Sequence, residues 1–493
     1  MKTLYKLIFS AMILAVLFSC SKLDDFLDKA SESDQSYVST ISDCDLLLNN
    51  GDLICGAFNV VYQDDGIAFS DVTGIFEASS ADYRAYAYWS NPKYLYEPTE
   101  DDEGWSTLYK NIYTCNVVLN YIDDVTGDDE TLRNQLKGEA YFGRAFYHFM
   151  LVNMYAKQYD SSTASSDAEV PYVMDIDASA VRSRASVQTV YDNILSDLEN
   201  ALKYLKTSIP AEKKNFRGNI AAANAFLARV YLHLRDWKNA EKYARASLTI
   251  TSFLYNYNDY SQYSADENDE TVQSYKESEA YGSMTNRETT YLRSSFTSMV
   301  ALNYFMSIDL GALMGGLVLT DNVTNILKTG DKRVDLFFGE DLFASSMTIS
   351  KVKNYDIGFY GLGNIGTTVP ETYLILAEAQ ARQGNTSGAC ATLDEFRVKR
   401  YDPILYKKFE SSDKSEVITE ITNEKTIEFV YSGNRWFEMR RLNSLGEFNR
   451  EVVRYDGSGK EIGRLVPSST RMVLPIGGKI TGINPNITQN PFE

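Results

Sequence analysis

The sequence predicts a mostly α-helical fold: a scaffold of tetratricopeptide-like helix pairs, interrupted by long irregular insertions, with minor β structure. Three observations predict it. Apolar residues recur every three or four positions through 105–125 and 131–158, the spacing of helices that bury one face. Two segments carry alanines twelve apart on either side of a turn, Ala228 with Ala240 and Ala377 with Ala389. Small side chains at that spacing let paired helices approach closely, and such pairs need neighbours to cover their remaining apolar faces. Between the two pairs, 251–360 keeps no period and is rich in Tyr, Ser, Asn, Asp and Gly. An insertion of that length is uncommon in a compact domain unless it is functional.

Taken in order, the chain opens with Lys2 and Lys6, then an apolar run from Leu7 to Phe18 broken only by Ser10, then Ser19 and Cys20. A basic start, a short apolar stretch and a small-residue cleavage point are the parts of a secretory signal, and the run is shorter than the ~20 residues a membrane-spanning helix needs. Leu17-Phe18-Ser19-Cys20 looks like a lipobox, which makes residues 1–19 a signal peptide and Cys20 the lipidated N-terminus. The alternative is an ordinary cleaved signal with a chance cysteine. Residues 20–36 then read as an acidic tether and 37–493 as one domain. Its helical scaffold covers about 105–250 and 368–448, its loop-rich portions about 60–104 and 251–360, and its turn-rich C-terminal part 449–493.

Within the scaffold, Trp105, Leu108, Ile112, Cys115, Leu119 and Ile122 form one stripe, and Gly127 ends the run. A second stripe carries Ala140, Ala145, Phe149 and Val152, so the two helices should pack antiparallel. Residues 159–185 read as loop. Helices resume at 187–206, stop by Pro210, and continue at 218–234.

Composition narrows the partners. The net charge of −19 becomes −21 when Lys2 and Lys6 leave, and an acidic surface repels nucleic acid and anionic headgroups. With Cys20 lipidated, Cys44, Cys55, Cys115 and Cys390 remain. Cys44 and Cys55 are close enough in sequence to bridge, whereas Cys115 and Cys390 sit in apolar helical patterns that suit buried thiols.

Several stretches, in order, resemble the SusD/RagB family of surface glycan-binding lipoproteins. Trp105-Ser106-Thr107-Leu108-Tyr109 with Asn116 resembles its first helix, and Glu139-Ala140 through Arg144-Ala145 to Tyr147 its "EA-x-F-x-RA-x-Y" helix. Ala221–Ala246 is similar to its tetratricopeptide-like pair, and Leu376-Ala377-Glu378-Ala379 to its "LAEA" helix. Glu424 to Leu442, with Glu428, Gly433, Arg435-Trp436 and Arg440-Arg441, is similar to its Arg-Trp helix, and Leu474-Pro475-Ile476 with Gln489-Asn490-Pro491 to its closing motifs. Lys425, Glu438-Met439 and Gly477 depart from the pattern at scaffold positions. The resemblance implies binding and delivery rather than catalysis. The expected partners are an oligosaccharide, a SusC-like TonB-dependent transporter and the outer membrane, reached through the lipid and facing outward. Asp24-Asp25 after Cys20 is similar to the export signal of such lipoproteins. Glu378, Arg435 and Trp436 are expected to hold helices together.

In this family the sugar contacts come from loops beside the scaffold. A sugar needs a flat apolar surface for its C–H face and forked donors and acceptors for its hydroxyls. Residues 82–96 supply five Tyr with Trp89, Arg84 and Asn91, and Ser90-Asn91-Pro92 argues for a loop. Trp89 and Arg84 lead the candidates, with Tyr86, Asn91 and Tyr94; Tyr281, Asn286, Arg287 and Tyr291 in the insertion form a second set. Tyrosines at 86, 88, 94 and 96 fit a half-buried strand equally well.

Other chemistry is poorly served. Gly361 to Gly366 spells GxGxxG, but a helix started at Pro370 comes too late to cradle a dinucleotide, and a helix pair follows where a strand is needed. The chain's two histidines, His148 and His233, lie on apolar helix faces, and neither HExxH nor GxSxG occurs. Asp123-Asp124, Asp128-Asp129-Glu130 and Asp266 to Glu270 lack the alternating pattern of a calcium loop and suit solvated turns, so no cofactor is expected. Two alternatives to glycan capture stay open: a helical-repeat surface protein that binds peptides or proteins, and a lipid-anchored glycoside hydrolase, since paired carboxylates are plentiful.

Overall fold

A computed structural model describes residues 38–54, 63–69, 88–89, 101–211, 214–260, 285–293, 317–337, 364–430, 432–455 and 460–491, with single residues at 60, 97 and 99. Among them are thirteen α-helices and three two-stranded sheets. The first helix, α1 (Ile41–Leu48), is closed by a capping box in which Thr40 and Asp43 satisfy each other's end groups. The two longest follow: α2 (Glu103–Tyr121) and α3 (Glu130–Tyr155), each started by an aspartate whose side chain accepts a backbone N–H, Asp102 from Trp105 and Asp129 from Leu132. Then come α4 (Val187–Tyr204), α5 (Ile220–His233) and α6 (Trp237–Ile250). The helix boundaries agree with the periodic reading to within a few residues.

The helix order continues with short α7 (Asp321–Thr324) and α8 (Lys332–Phe337). After them α9 (Val369–Arg382), α10 (Thr386–Arg397), α11 (Lys414–Glu428) and α12 (Asn434–Ser444) complete the scaffold, and α13 (Gly478–Ile483) ends it. Successive long helices pack on one another, and the α5–α6 pair stacks on α9. The alanines do what their spacing predicts. Ala228, Ala240, Ala377 and Ala389 are all fully buried, and Ala228, Ala240 and Ala244 meet Ile375, Leu376 and Ala379 in one apolar cluster. A larger core fills the space between α2, α3, α4 and α5 and takes in Trp436 and the C-terminal Leu474 and Ile476.

Periodicity did not expose the strands. β1 (Ile67–Phe69) pairs antiparallel with β3 (Leu317–Leu319), β2 (Thr289–Tyr291) with β4 (Thr367–Thr368), and β5 (Val452–Tyr455) with β6 (Glu461–Leu465). All six strands have five residues or fewer, too short to show an alternation, and β1–β3 and β2–β4 join distant parts of the chain. Thr368 N-caps α9, with Pro370 in its first turn, so the helix start sits where the proline placed it. Gly366 is explained by close packing: a Cβ there would lie 1.8 Å from the Tyr291 carbonyl oxygen.

Buried ion pairs tie the elements together. Glu378 accepts from Arg382, Lys425 and Arg441, and Arg229 grips Glu371 from α5 with a 2.6 Å contact. Arg333 reaches Asp331, Glu424 and Glu428, Arg397 reaches Glu424, and Arg400 bridges Glu428 to Glu288 of the insertion. The acidic turns lie at the surface: exposed Asp123 pairs with Lys137 and exposed Glu130 with Arg133, and Asp266 to Glu270 lies outside the described residues. His148 is buried, with Nε2 accepting from the Val173 N–H and Nδ1 facing the Arg144 carbonyl. The possible Cys44–Cys55 bridge is corrected: Cys44 is a buried free thiol like Cys115 and Cys390, and Cys55 lies outside the described residues.

Candidate functional site

The chain between Phe69 and Tyr88 and that between Trp89 and Asp101 hold the first candidate set; 294–316 belongs to the insertion. The β1–β3 pair brings the start of the first segment and the end of the insertion's 294–316 stretch side by side, although they are some 250 positions apart in sequence. Two loop-rich portions that are remote along the chain therefore have adjacent roots.

Polar contacts hold these roots to the scaffold. Gly66 N–H donates to Asp64 Oδ1 at 2.6 Å, and Thr320 N–H to the Gly66 carbonyl at 2.9 Å. Asp65 is fully buried. The Arg435 guanidinium grips both its oxygens, at 2.6 and 3.0 Å, and Arg450 Nη2 lies 2.9 Å from Oδ2. Burial pushes this carboxyl up, but Arg435, with Arg450 and Arg454 nearby, outweighs burial and holds it below the usual carboxylate range. The Asp65 carbonyl accepts from Thr320 and Asn322, so backbone and side chain are both anchored.

Trp89 sits in the same root. Its indole N–H donates to Gln63 Oε1 at 3.2 Å, Arg454 stacks 4.7 Å from its ring centre, and its carbonyl accepts from Arg471. Arg454 also donates to the Asp64 carbonyl at 2.7 Å. At φ 47° Trp89 occupies the left-handed region, a conformation that costs a bulky residue on the order of 1–3 kcal/mol. Next to it, Tyr88 packs so closely on β6 that a Cβ at Gly463 would lie 2.0 Å from its carbonyl oxygen.

These positions correct three of the candidates. Trp89 is 2% exposed and Tyr291 1%. The Tyr291 ring packs 4.5 Å from Phe142 and 5.5 Å from Phe146, and its hydroxyl accepts from Arg293. Asn286, 3% exposed, accepts from the backbone N–H groups of Glu288 and Thr289 and so closes a turn. None of the three presents a face to solvent; their polar tips are used inside the protein. Tyr88 and Trp89 are buried side by side, which also departs from the alternating-strand reading at those two positions. Arg287 is exposed, its guanidinium 3.7 Å from the Phe253 ring centre. Cys20, Arg84, Tyr86, Asn91, Tyr94 and Tyr281 lie outside the described residues. Sequence reasoning missed Asp65, Arg450 and Arg454; Asp64-Asp65-Gly66 has the composition of a turn, but its partners lie hundreds of residues away.

Comparisons with known proteins agree with this architecture. A SusD-like family model described as starch-binding and associating with the outer membrane matches residues 25–232, and the SusD/RagB family model matches 369–492. The chain belongs to the SusD/RagB family. SusD-like protein P2 of Formosa agariphila is 30% identical over 155 residues, 29% of this chain and 27% of that protein. SusD-like protein P25 of the same organism is 23% identical over 27% of this chain and 24% of its own length. The sequence matches thus span about a quarter of these curated relatives. The fold match is far wider. The crystal structure of a SusD-like carbohydrate-binding protein from Bacteroides vulgatus superimposes with TM-score 0.67 at 18% identity, over 91% of this chain and 97% of that one. A SusD superfamily protein from Bacteroides thetaiotaomicron gives 0.66 at 20%, over 92% and 100%. Within this SusD-family scaffold, Glu378, Arg435 and Trp436 are interior residues, as the motif comparison implied.

Proposed function

We propose that this SusD-family chain is a lipid-anchored protein of the outer cell surface. It captures oligosaccharides and delivers them to a TonB-dependent transporter without cleaving them. The observation that carries the reading is the joining of two remote loop-rich portions at one buried root, by β1–β3 pairing and by the grip of Arg435 and Arg450 on Asp65. A rigid base under two variable segments suits recognition of varied ligands better than it suits a fixed acid–base pair. The family match and the description of its model as starch-binding and associating with the outer membrane support the same reading. Arg84, Tyr86, Asn91, Tyr94, Tyr281 and the exposed Arg287 are the proposed contacts, and Cys20 the lipid site.

A glycan array probed with the soluble form lacking residues 1–20 tests the proposal. One class of oligosaccharide should bind, with no release of reducing ends. Tyr86→Ala or Tyr94→Ala should weaken that binding about tenfold and leave the melting temperature unchanged. Binding of peptides in place of glycans, or turnover of a bound glycan, would overturn it.

A further inference from the structure

A groove of about 780 Å³ runs between α11 and the chain that joins α12 to β5. Small-molecule sites typically measure about 300–1,000 Å³. One wall is a stripe of α11 carrying Ser415, Thr419 and Asn423; the other carries Asn449 and Arg450. Ile418 and Phe448 contribute the apolar part of its lining.

The charged groups of the groove are already engaged. Lys414 donates to the Arg382 carbonyl at 2.6 Å, Glu447 accepts both terminal nitrogens of Arg382, and Arg450 is spent on Asp65 and Asn322. Three of the neutral groups are not. Among the described residues, the Asn423 and Asn449 amides and the Thr419 hydroxyl make no side-chain hydrogen bond, though they line opposite walls of one cavity. Thr419 and Asn449 are exposed and Asn423 is half-buried. Glu447 and Arg450 are paired with opposite charges inside the protein, which leaves Lys414, bonded to a neutral carbonyl, as the one lining charge without a counter-ion among the described residues, so the groove has no cluster of charge to select an ionic ligand. The lining sets apolar surface from Ile418, Leu442 and Phe448 beside hydroxyls and amides, the mixture that the C–H faces and hydroxyls of a sugar need. A neutral polyhydroxylated ligand fits, because each amide offers a donor and an acceptor at once.

The groove also adjoins the loop root. Arg450 lines it and simultaneously holds Asp65, so one side chain separates the two. We infer that this groove is a further subsite for a neutral oligosaccharide, in which Asn423 and Asn449 hydrogen-bond one stretch of a chain whose remainder is held at the loops. The inference rests on the glycan-capture reading and deepens it: ligand length, and not only the identity of a terminal sugar, sets the affinity.

Calorimetric titration of the soluble form with maltotriose and maltoheptaose, alongside xylan- and mannan-derived oligomers of the same lengths, tests this. For whichever series binds, the heptasaccharide should bind about tenfold tighter than the trisaccharide, the worth of one or two added hydrogen bonds. The double variant Asn423→Ala/Asn449→Ala should lose that gain. Thr419→Arg, which obstructs the groove from an exposed position, should lose it too, with the melting temperature retained in both. Equal length dependence in wild type and variants overturns the subsite and leaves glycan capture standing. A wild type that binds none of the oligomers at either length overturns the subsite, while glycan capture itself stands or falls on the array.

Discussion

Trp89 shows how a residue type can point to the right region for the wrong reason. An aromatic beside polar groups in a turn-rich stretch reads as an exposed platform, yet the ring is clasped between Gln63 and Arg454. The signal that would have separated the two roles lies in partners some 26 and 365 positions away, which no local pattern reports. Trp89→Ala should therefore cost stability, about 3–5 kcal/mol, because it empties a core position and strips Arg454 of its ring. Urea denaturation measures this; a variant as stable as the wild type that fails only in ligand binding would return Trp89 to the contact set. The histidines were legible by contrast. Their positions on apolar helix faces predicted burial, and burial pushes His148 down to about 3 and His233 well below its usual range.

Elements were legible in proportion to their length. The two longest, α2 and α3, announced themselves through their stripes, and the alanine pairs marked the close approach of helices within α5–α6 and α9–α10, whereas the stacking of α5 and α6 on α9 is set by tertiary contact. The strands were silent because pairing partners such as Ile67 and Leu319 are chosen by tertiary contact. Glycines separate the two kinds of constraint. Gly384, between α9 and α10, has φ +86° and open space around it, so Gly384→Ala meets only backbone strain, about 1 kcal/mol. Gly366 faces the Tyr291 carbonyl oxygen at 1.8 Å from a would-be Cβ, so Gly366→Ala forces β2 and β4 apart and should cost about 1–3 kcal/mol. Chemical denaturation of the pair checks the order; the reverse order would refute the close-packing account.

On the scale of the whole molecule, sequence-remote parts are joined by charge in the interior as well as by apolar packing. Burial pushes Glu424 up, but Arg333 and Arg397 overcome it and hold the carboxyl at about 2; Arg441 and Lys425 hold Glu438 at about 2 in the same way. Groups held below their ordinary value give stability that is complete above about pH 4.5 and is lost as pH falls towards 2. Neutral His148 adds a loss that begins earlier, since only the unfolded chain takes up its proton between pH 6.5 and about 3. Asp102, raised to about 6 by burial, acts in the opposite direction between its ordinary value and pH 6, as do the buried Glu139, Glu169 and Glu288, whose carboxyls burial also raises. Calorimetric melting should thus show little net change between pH 6.5 and 4.5 and a steep decline below 4.5. Glu424→Gln should lower the midpoint at pH 7 and flatten the steep part; an unchanged acid limb would show that this carboxylate is not what the acid limb reports. Burying both imidazoles has a further effect. With neither of the chain's two histidines at the surface, the exterior lacks the one side chain whose ordinary titration falls near neutrality, so mild acidification of the surroundings leaves the coat of charge that meets an arriving solute essentially as it was.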